Sequence, residues 1–200
     1  RVALAQTLDA LMDHAHVSRL VDTQLKTEDV AMLYKHIQKV EAHAAFSDCQ
    51  KYRYRLDISL VEPNTSDTKI VCAVMQNPSV ANSEIADKSV QFLEKLIFTK
   101  AIPDFSGVRK LIVVNQFAFV QTNGFAGQDE HIGLENDSHI NRAISEADII
   151  LVAWGSSNAY EARKAKINAM LKAQKGRSLL QGKSHPSRAS YVGYVSVYSV

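Results

Sequence analysis

Four short segments of the chain hold the side chains best suited to chemistry: Gln76-Asn77-Pro78-Ser79, Asn115-Gln116-Phe117, Gly155-Ser156-Ser157 and His185-Pro186-Ser187-Arg188. Each comes just after an apolar run, at residues 70–75, 111–114, 149–154 and 179–180. An asparagine amide offers one acceptor oxygen and two N–H donors, a neutral imidazole one donor and one acceptor, and a serine hydroxyl both roles. In an open parallel α/β sheet, ligands gather outside the carboxyl ends of the strands. If the four runs are parallel strands, two asparagines, a histidine and several small hydroxyls meet on one edge.

The elements that must position them follow from periodicity. Runs 70–75, 111–114 and 149–154 are short and unbroken, as expected of strands covered on both faces, and Leu179 and Leu180 supply a short fourth strand. Residues 84–99 carry Ile85, Val90, Leu93, Leu96 and Ile97 at helical spacing. Residues 136–147 and 156–175 read as two further helices, the second with a basic outer face. This alternation predicts an α/β domain, a three-layer α/β/α structure with a mainly parallel central sheet. Ahead of it, Tyr52, Tyr54, Leu56, Ile58 and Leu60 alternate with Arg53, Arg55, Asp57 and Ser59. That is the pattern of a half-exposed strand, which the turn at 63–67 joins antiparallel to the next. Residues 2–21 and 27–40 repeat at helical spacing, and Thr27 before Glu28 and Asp29 suits an N-cap. The chain therefore divides into an N-terminal helical segment, 1–50, and an α/β domain, 51–200.

Composition narrows the function classes. The chain has 200 residues, 46% of them hydrophobic, enough for a packed core, and no apolar run approaches the roughly 20 residues of a membrane span. The first residues lack the pattern of a secretory signal, and a cytoplasmic location is expected. Cys49 and Cys72 have no second cysteine at ligand spacing, His14 and His16 point to different helix faces, and His36, His43, His131 and His139 have no ligand-spaced partner. Neither a metal nor another cofactor is expected. Net charge is only +2, yet from Tyr160 to Arg188 eight basic residues stand against Glu161 alone. That cation patch is a solvated face or, beside His185, a phosphate track.

In this order the four segments resemble the uracil-DNA glycosylase superfamily. Gln76-Asn77-Pro78 is similar to its water-activating loop, Val113-Val114-Asn115 to the strand ending in a base-reading asparagine, Ala153-Trp154-Gly155-Ser156 to the strand ending in tryptophan and glycine, and His185-Pro186-Ser187 to its histidine, proline, serine signature. The same blocks, with Asp87 and the run 132–137, also resemble the family catalogued as domain of unknown function 1643. The resemblance covers about residues 70–192. It implies a metal-independent, monofunctional DNA glycosylase that flips a pyrimidine nucleotide out of DNA and hydrolyses its glycosidic bond. Asn77 would orient the water and His185 would stabilise the departing base. Gln76, Ser79 and Asn115 would hold the base, with Phe117 or Phe92 stacking on it. Ser187, Lys183, Arg188 and Tyr191 would contact DNA.

Two departures from the family pattern shape the expectation. Asn77 replaces the aspartate of the most active enzymes, so catalysis rests on orientation rather than base strength. Ser79 stands where uracil-specific enzymes carry a tyrosine, leaving room for a 5-substituent. A damaged or 5-modified pyrimidine, such as a base of modified phage DNA attacked in defence, is therefore favoured over plain uracil. Two other readings stay open: a nucleic-acid or modified-nucleotide binding module without chemistry, and a hydrolase of free nucleosides or nucleotides. Apart from the resemblance, Asn77 and Asn115 read as ordinary turn residues, and Asp87 as a helix-surface residue.

Overall fold

The computed structural model describes residues 34–157 and 159–200. In chain order its elements are β1 (Tyr34–Lys35), β2 (Val40–Phe46), β3 (Arg53–Leu60), β4 (Lys69–Met75), β5 (Ile85–Ala86), α1 (Lys88–Phe98), β6 (Val108–Asn115), α2 (Asn136–Glu146), β7 (Ile149–Val152), α3 (Glu161–Lys172), β8 (Ser178–Gly182) and β9 (Val195–Val197). Seven strands form one sheet in the order β2-β3-β6-β4-β7-β8-β9, and β1 pairs with β5 alone.

The domain is α/β with a mixed sheet. Strands β6, β4, β7 and β8 run parallel at its centre, whereas β2 with β3, β3 with β6 and β8 with β9 pair antiparallel. The expectation of a mainly parallel sheet thus holds only for the centre. Parallel neighbours need a crossover connection, while β2 to β3 and β8 to β9 are joined by loops without an α-helix, which permit only antiparallel neighbours. The turn at 63–67 also does less than expected: β4 runs opposite to β3, but β6 lies between them.

Both faces of the central strands are buried, which is why their sequences are unbroken apolar runs. Val71, Ala73, Leu111, Val113 and Leu151 pack with Val90, Leu93 and Leu96 of α1 on one face. Cys72, Val74, Ile112, Val114 and Ile150 pack with Ile140 and Ile144 of α2 and Ile167 and Leu171 of α3 on the other. No helix among the described residues is long and apolar enough to cross a membrane.

The N-terminal expectation needs correction. Over residues 34–46 the structure has strands, not helix: Tyr34 and Lys35 pair with Ala86 and Ile85, and Val40–Phe46 is the edge of the main sheet. The sheet therefore begins before the boundary placed at residue 50. Val40, Ala42 and Ala44 pack on the core and alternate with exposed Glu41 and His43, so β pairing overrode the helical spacing read over 27–40. The helix expected over 2–21, the start of that over 27–40, and His14 and His16 lie outside the described residues.

A buried carboxylate fastens this N-terminal part to α1. Glu94, fully buried, is paired through Oε1 with His36 Nδ1, and its Oε2 accepts the Ile37 N–H at 3.1 Å. His36 Nε2 lies 2.9 Å from the Asn82 carbonyl. Burial alone would hold the His36 pKa down, but the bonds to Glu94 and Asn82 outweigh it and the net shift is upward. A histidine with a raised folded-state pKa contributes stability that is complete below the unfolded value, about 6.5, and is lost as pH rises through the folded value. Thermal melts should therefore show wild type losing stability on the alkaline side of pH 6.5, a loss that His36→Gln does not share. Parallel curves for the two proteins would contradict this role.

Candidate functional site

The parallel centre brings the four chemistry-bearing segments to one carboxyl edge. Met75 is the register partner of Asn115, and Val152 that of Gln181. The ladder continues past the strand ends: the Gln116 N–H donates to the Met75 carbonyl at 2.9 Å, the Phe117 N–H to the Gln76 carbonyl at 3.0 Å and the Ala153 N–H to the Val74 carbonyl at 2.8 Å. Gly155 takes φ +85°, and a Cβ there would lie 3.3 Å from both Cβ and N of His185. Glycine thus lets the tryptophan-glycine turn and the histidine loop come into contact.

Beneath this edge lies a buried guanidinium. The pairing of Ala45 with Arg55 and of Phe46 with Arg53 leaves Tyr54 as the extra residue of a β-bulge, which reverses the side-chain alternation of β3. Arg53, which the alternation placed on the exposed face, is 1% exposed and donates to the Ala81 carbonyl at 2.8 Å and to Asn115 Oδ1 at 3.1 Å. Burial lowers its pKa to about 10, against an opposing pull from Asp87, so it stays charged at neutral pH. Asn115 is itself 1% exposed; its oxygen is engaged by Arg53 and its Nδ2 has no partner. Asp87 caps α1, accepting the Val90 N–H at 2.9 Å, and its charge acts on both Arg53 and His185.

His185 is half-buried, and its Nδ1 accepts the Ser187 N–H at 3.3 Å and lies 2.9 Å from Ser187 Oγ. Burial first, then the neighbouring Arg188 charge, lower its pKa, against a weaker upward pull from Asp87. The ring is therefore neutral at pH 7 with its proton on Nε2, a donor able to face an acceptor without surrendering the proton.

The end of β6 collects a second unusual group. Asn136 Nδ2 donates to the Asn115 and Gln116 carbonyls, both at 3.0 Å, and Arg163 Nε to the Gln116 carbonyl at 2.6 Å. Arg163 Nη1 faces Asp137 Oδ1 at 2.5 Å. Apart from that ion pair, the buried side-chain polar atoms without a hydrogen bond among the described residues are Arg53 Nε, Asn115 Nδ2, both ends of Gln116, Asn136 Oδ1 and Arg163 Nη2. Each such atom costs about 1–3 kcal/mol. They concentrate at the end of β6 and on the side chains packed against it.

The sequence matches the family model described as protein of unknown function (DUF1643) over residues 53–187, two thirds of the chain. The chain belongs to the DUF1643 family. No curated protein and no solved structure matches it.

The remaining expected site residues of this DUF1643 chain fall into three groups. Asn77, half-buried, donates from Nδ2 to the Gln121 carbonyl at 2.6 Å and to the Pro78 carbonyl at 3.2 Å, as a turn residue does. Its Oδ1 has only a 3.5 Å contact from Gln76 Nε2. Ser79 bonds to Thr122 at 3.0 Å on the same loop pair. The two candidate stacking rings are packed away rather than presented. Phe117 is buried edge-to-face against Phe125 and Tyr160, and Phe92 is buried against Tyr191 at 4.5 Å and Tyr194. Tyr191 is accordingly held by Phe92, with Lys100 over its ring, and Ser187 is held by His185.

Exposed Lys183 and Arg188 line a cleft of about 370 Å³ with Val192, which is 91% exposed at the loop tip. The basic face of α3 is smaller than expected: Arg163 is buried and Lys166 pairs with Asp137 at 2.6 Å. Sequence reasoning missed Arg53, Asn136 and Arg163 as buried groups of the site, because each sits in a pattern where a polar residue normally faces solvent, and it quoted Gln116 in its segment without a role.

Two outcomes test this geometry. Arg53→Met, which leaves the Ala81 carbonyl and Asn115 Oδ1 without their donor, should lower the unfolding free energy by about 3 kcal/mol in urea titrations. A loss below about 1 kcal/mol would mean the guanidinium is dispensable. His185, with its pKa lowered, contributes stability that is complete above about pH 6.5 and lost as pH falls through the folded value. Wild type should therefore soften on acidification more than His185→Gln does.

Proposed function

We propose that this chain is a monofunctional DNA glycosylase of uracil-DNA glycosylase-like, three-layer fold, acting on a flipped damaged or 5-modified pyrimidine. The observation that supports the reading is the shared carboxyl edge of β6, β4, β7 and β8, which carries Asn115, the Asn77 loop and the His185 loop. Hydrolysing the glycosidic bond passes through an oxocarbenium-like sugar and a base that departs as an anion. His185 Nε2–H donates a hydrogen bond to a carbonyl oxygen of that base as its charge grows, and such a donor supplies about 3–4 kcal/mol of transition-state stabilisation. Asn115 Nδ2–H meets another acceptor on the base edge, once the rim opens to admit an everted nucleotide. Asn77 Oδ1 accepts a hydrogen bond from water and orients it toward the sugar carbon; as the new C–O bond forms, the water's proton passes to solvent and the departed base anion is protonated from solvent. Ser79 leaves space near a 5-substituent.

Lys183, Arg188 and Ser187 are the proposed phosphate contacts, and the exposed Val192, rather than Tyr191, which is stacked on Phe92, is the proposed wedge that fills the space an everted nucleotide leaves. The chemistry needs neither metal nor cofactor, and no lysine is proposed as a nucleophile, so an abasic site is the product. The cytoplasm is the proposed setting and defence against modified phage DNA the proposed role.

Two observations favour a second reading, a module that binds modified nucleotides without cleaving them: Asn115 is sealed, and the Asn77 amide nitrogen is tied to the Gln121 and Pro78 carbonyls. Incubating oligonucleotides carrying a panel of modified pyrimidines, followed by alkali, separates the two. Strand breaks should appear with wild type and fall by about 100- to 1,000-fold in His185→Gln. Salt-sensitive DNA binding without base release would select the module, and action on free nucleosides with indifference to duplex DNA a nucleoside hydrolase.

A further inference from the structure

A second concavity, of about 800 Å³, lies between the ends of β2 and β3, residues 129–135 and the first turn of α2, and none of the residues lining it belongs to the four strand-end segments. One wall is aromatic. Tyr54 stacks face to face on His139 at 4.9 Å and 6°, and Tyr52 lies nearly parallel to Tyr54 at 6.4 Å and 11°. Gly133, at φ +83°, brings backbone against both tyrosines, since a Cβ there would stand 3.0 Å from Tyr52 and 3.1 Å from Tyr54.

The rim is acidic. Asp48, Asp129, Glu130 and Glu135 are exposed, no lysine or arginine lines the cleft, and none of these four carboxylates has a lysine or arginine within ion-pair distance among the described residues. Glu135 meets only His139, at 3.7 Å. Asp137, by contrast, is already held by Arg163 and Lys166. Leu134 stands fully exposed at the mouth, at 102% of its reference area.

These features select an occupant. Uncompensated carboxylates around a recess with low-dielectric walls focus a negative potential there, which repels nucleic acid and attracts cations. Among the described residues no group of three or more histidine, cysteine or carboxylate side chains is arranged to hold a metal ion, and the aromatic wall beside the carboxylates suits an organic cation. A planar guanidinium stacks on aromatic faces, forks onto carboxylates and sheds water more readily than an ammonium does. The cleft is far larger than one side chain requires and falls in the range of sites that enclose sizeable ligands. An exposed leucine at its mouth offers apolar contact to a neighbouring residue of the same ligand.

We infer that this cleft docks an arginine-bearing peptide segment of a partner protein, with a guanidinium lodged between Tyr52, the less buried of the two tyrosines, and the rim carboxylates of Glu130 and Glu135. The inference is independent of the glycosylase reading. Its test is fluorescence anisotropy of the whole chain with a short labelled peptide of alternating arginine and glycine around a central leucine. Wild type should bind it saturably. Combined Glu130→Gln and Glu135→Gln, and separately Tyr52→Ala, should each weaken binding at least roughly tenfold.

The surface pair Glu62→Gln and Asp104→Asn, outside the cleft, serves as the charge control and should leave binding within about twofold. Because Tyr52→Ala can disturb packing, Tyr52→Phe, which keeps the ring, should restore most of the affinity, and thermal melts verify that each variant is folded. Absence of binding, equal weakening by the control pair, or a folded Tyr52→Ala that binds as wild type would each overturn the proposal. Displacement by free spermidine at concentrations as low as those of the unlabelled peptide would also overturn it, since the cleft would then be a polyamine site.

Discussion

A guanidinium buried beside a sheet edge needs acceptors, and Arg53 draws two of them, the Ala81 carbonyl and Asn115 Oδ1, into fixed positions. The charge is kept because the Ala81 carbonyl and Asn115 Oδ1 accept from it and the Asp87 charge lies near it. Each of those partners is then constrained in turn. Asn115 is fixed with its oxygen inward to Arg53, which leaves its amide nitrogen as a lone donor. Asp87 caps α1 while it also influences His185, so one carboxylate links the helix start to two groups of the edge.

The parallel centre of the sheet supplies the other half of the arrangement. Strands β6, β4, β7 and β8 end side by side, and the backbone ladder continues for one or two residues beyond them. Loops that start from such a scaffold inherit its alignment, which is why segments distant along the chain meet without any covalent link. The antiparallel flank of β2 and β3 reaches this edge through Arg53. It also carries the aromatic and acidic cleft, so two recesses of opposite electrostatic character occupy different parts of one domain.

In the proposed reading, the polar atoms left unpaired at the end of β6 are groups offered to a ligand. Replacing Gln116 by an apolar residue of similar size would remove the cost of its unpartnered side-chain amide. Tolerating that cost is typical of places where polar groups act on something other than the protein itself.

The sequence by itself determined the α/β class, the buried central strands and the residues at their carboxyl ends, because unbroken apolar runs and helical periodicity are local signals of burial on two faces or one. It also determined membership of the DUF1643 family, since the match rests on residue order alone. Only the tertiary structure decided that residues 34–46 are strands, because their helical spacing is compatible with either element until β3 is present to pair. It also decided the fate of the polar residues. The bulge at Tyr54 turns Arg53 inward, Arg163 leaves the basic face to meet Gln116 and Asp137, and the aromatic rings of Phe92 and Phe117 are taken up by neighbours. These outcomes depend on which groups arrive from elsewhere in the chain, and no local pattern records where a buried charge will find its acceptors.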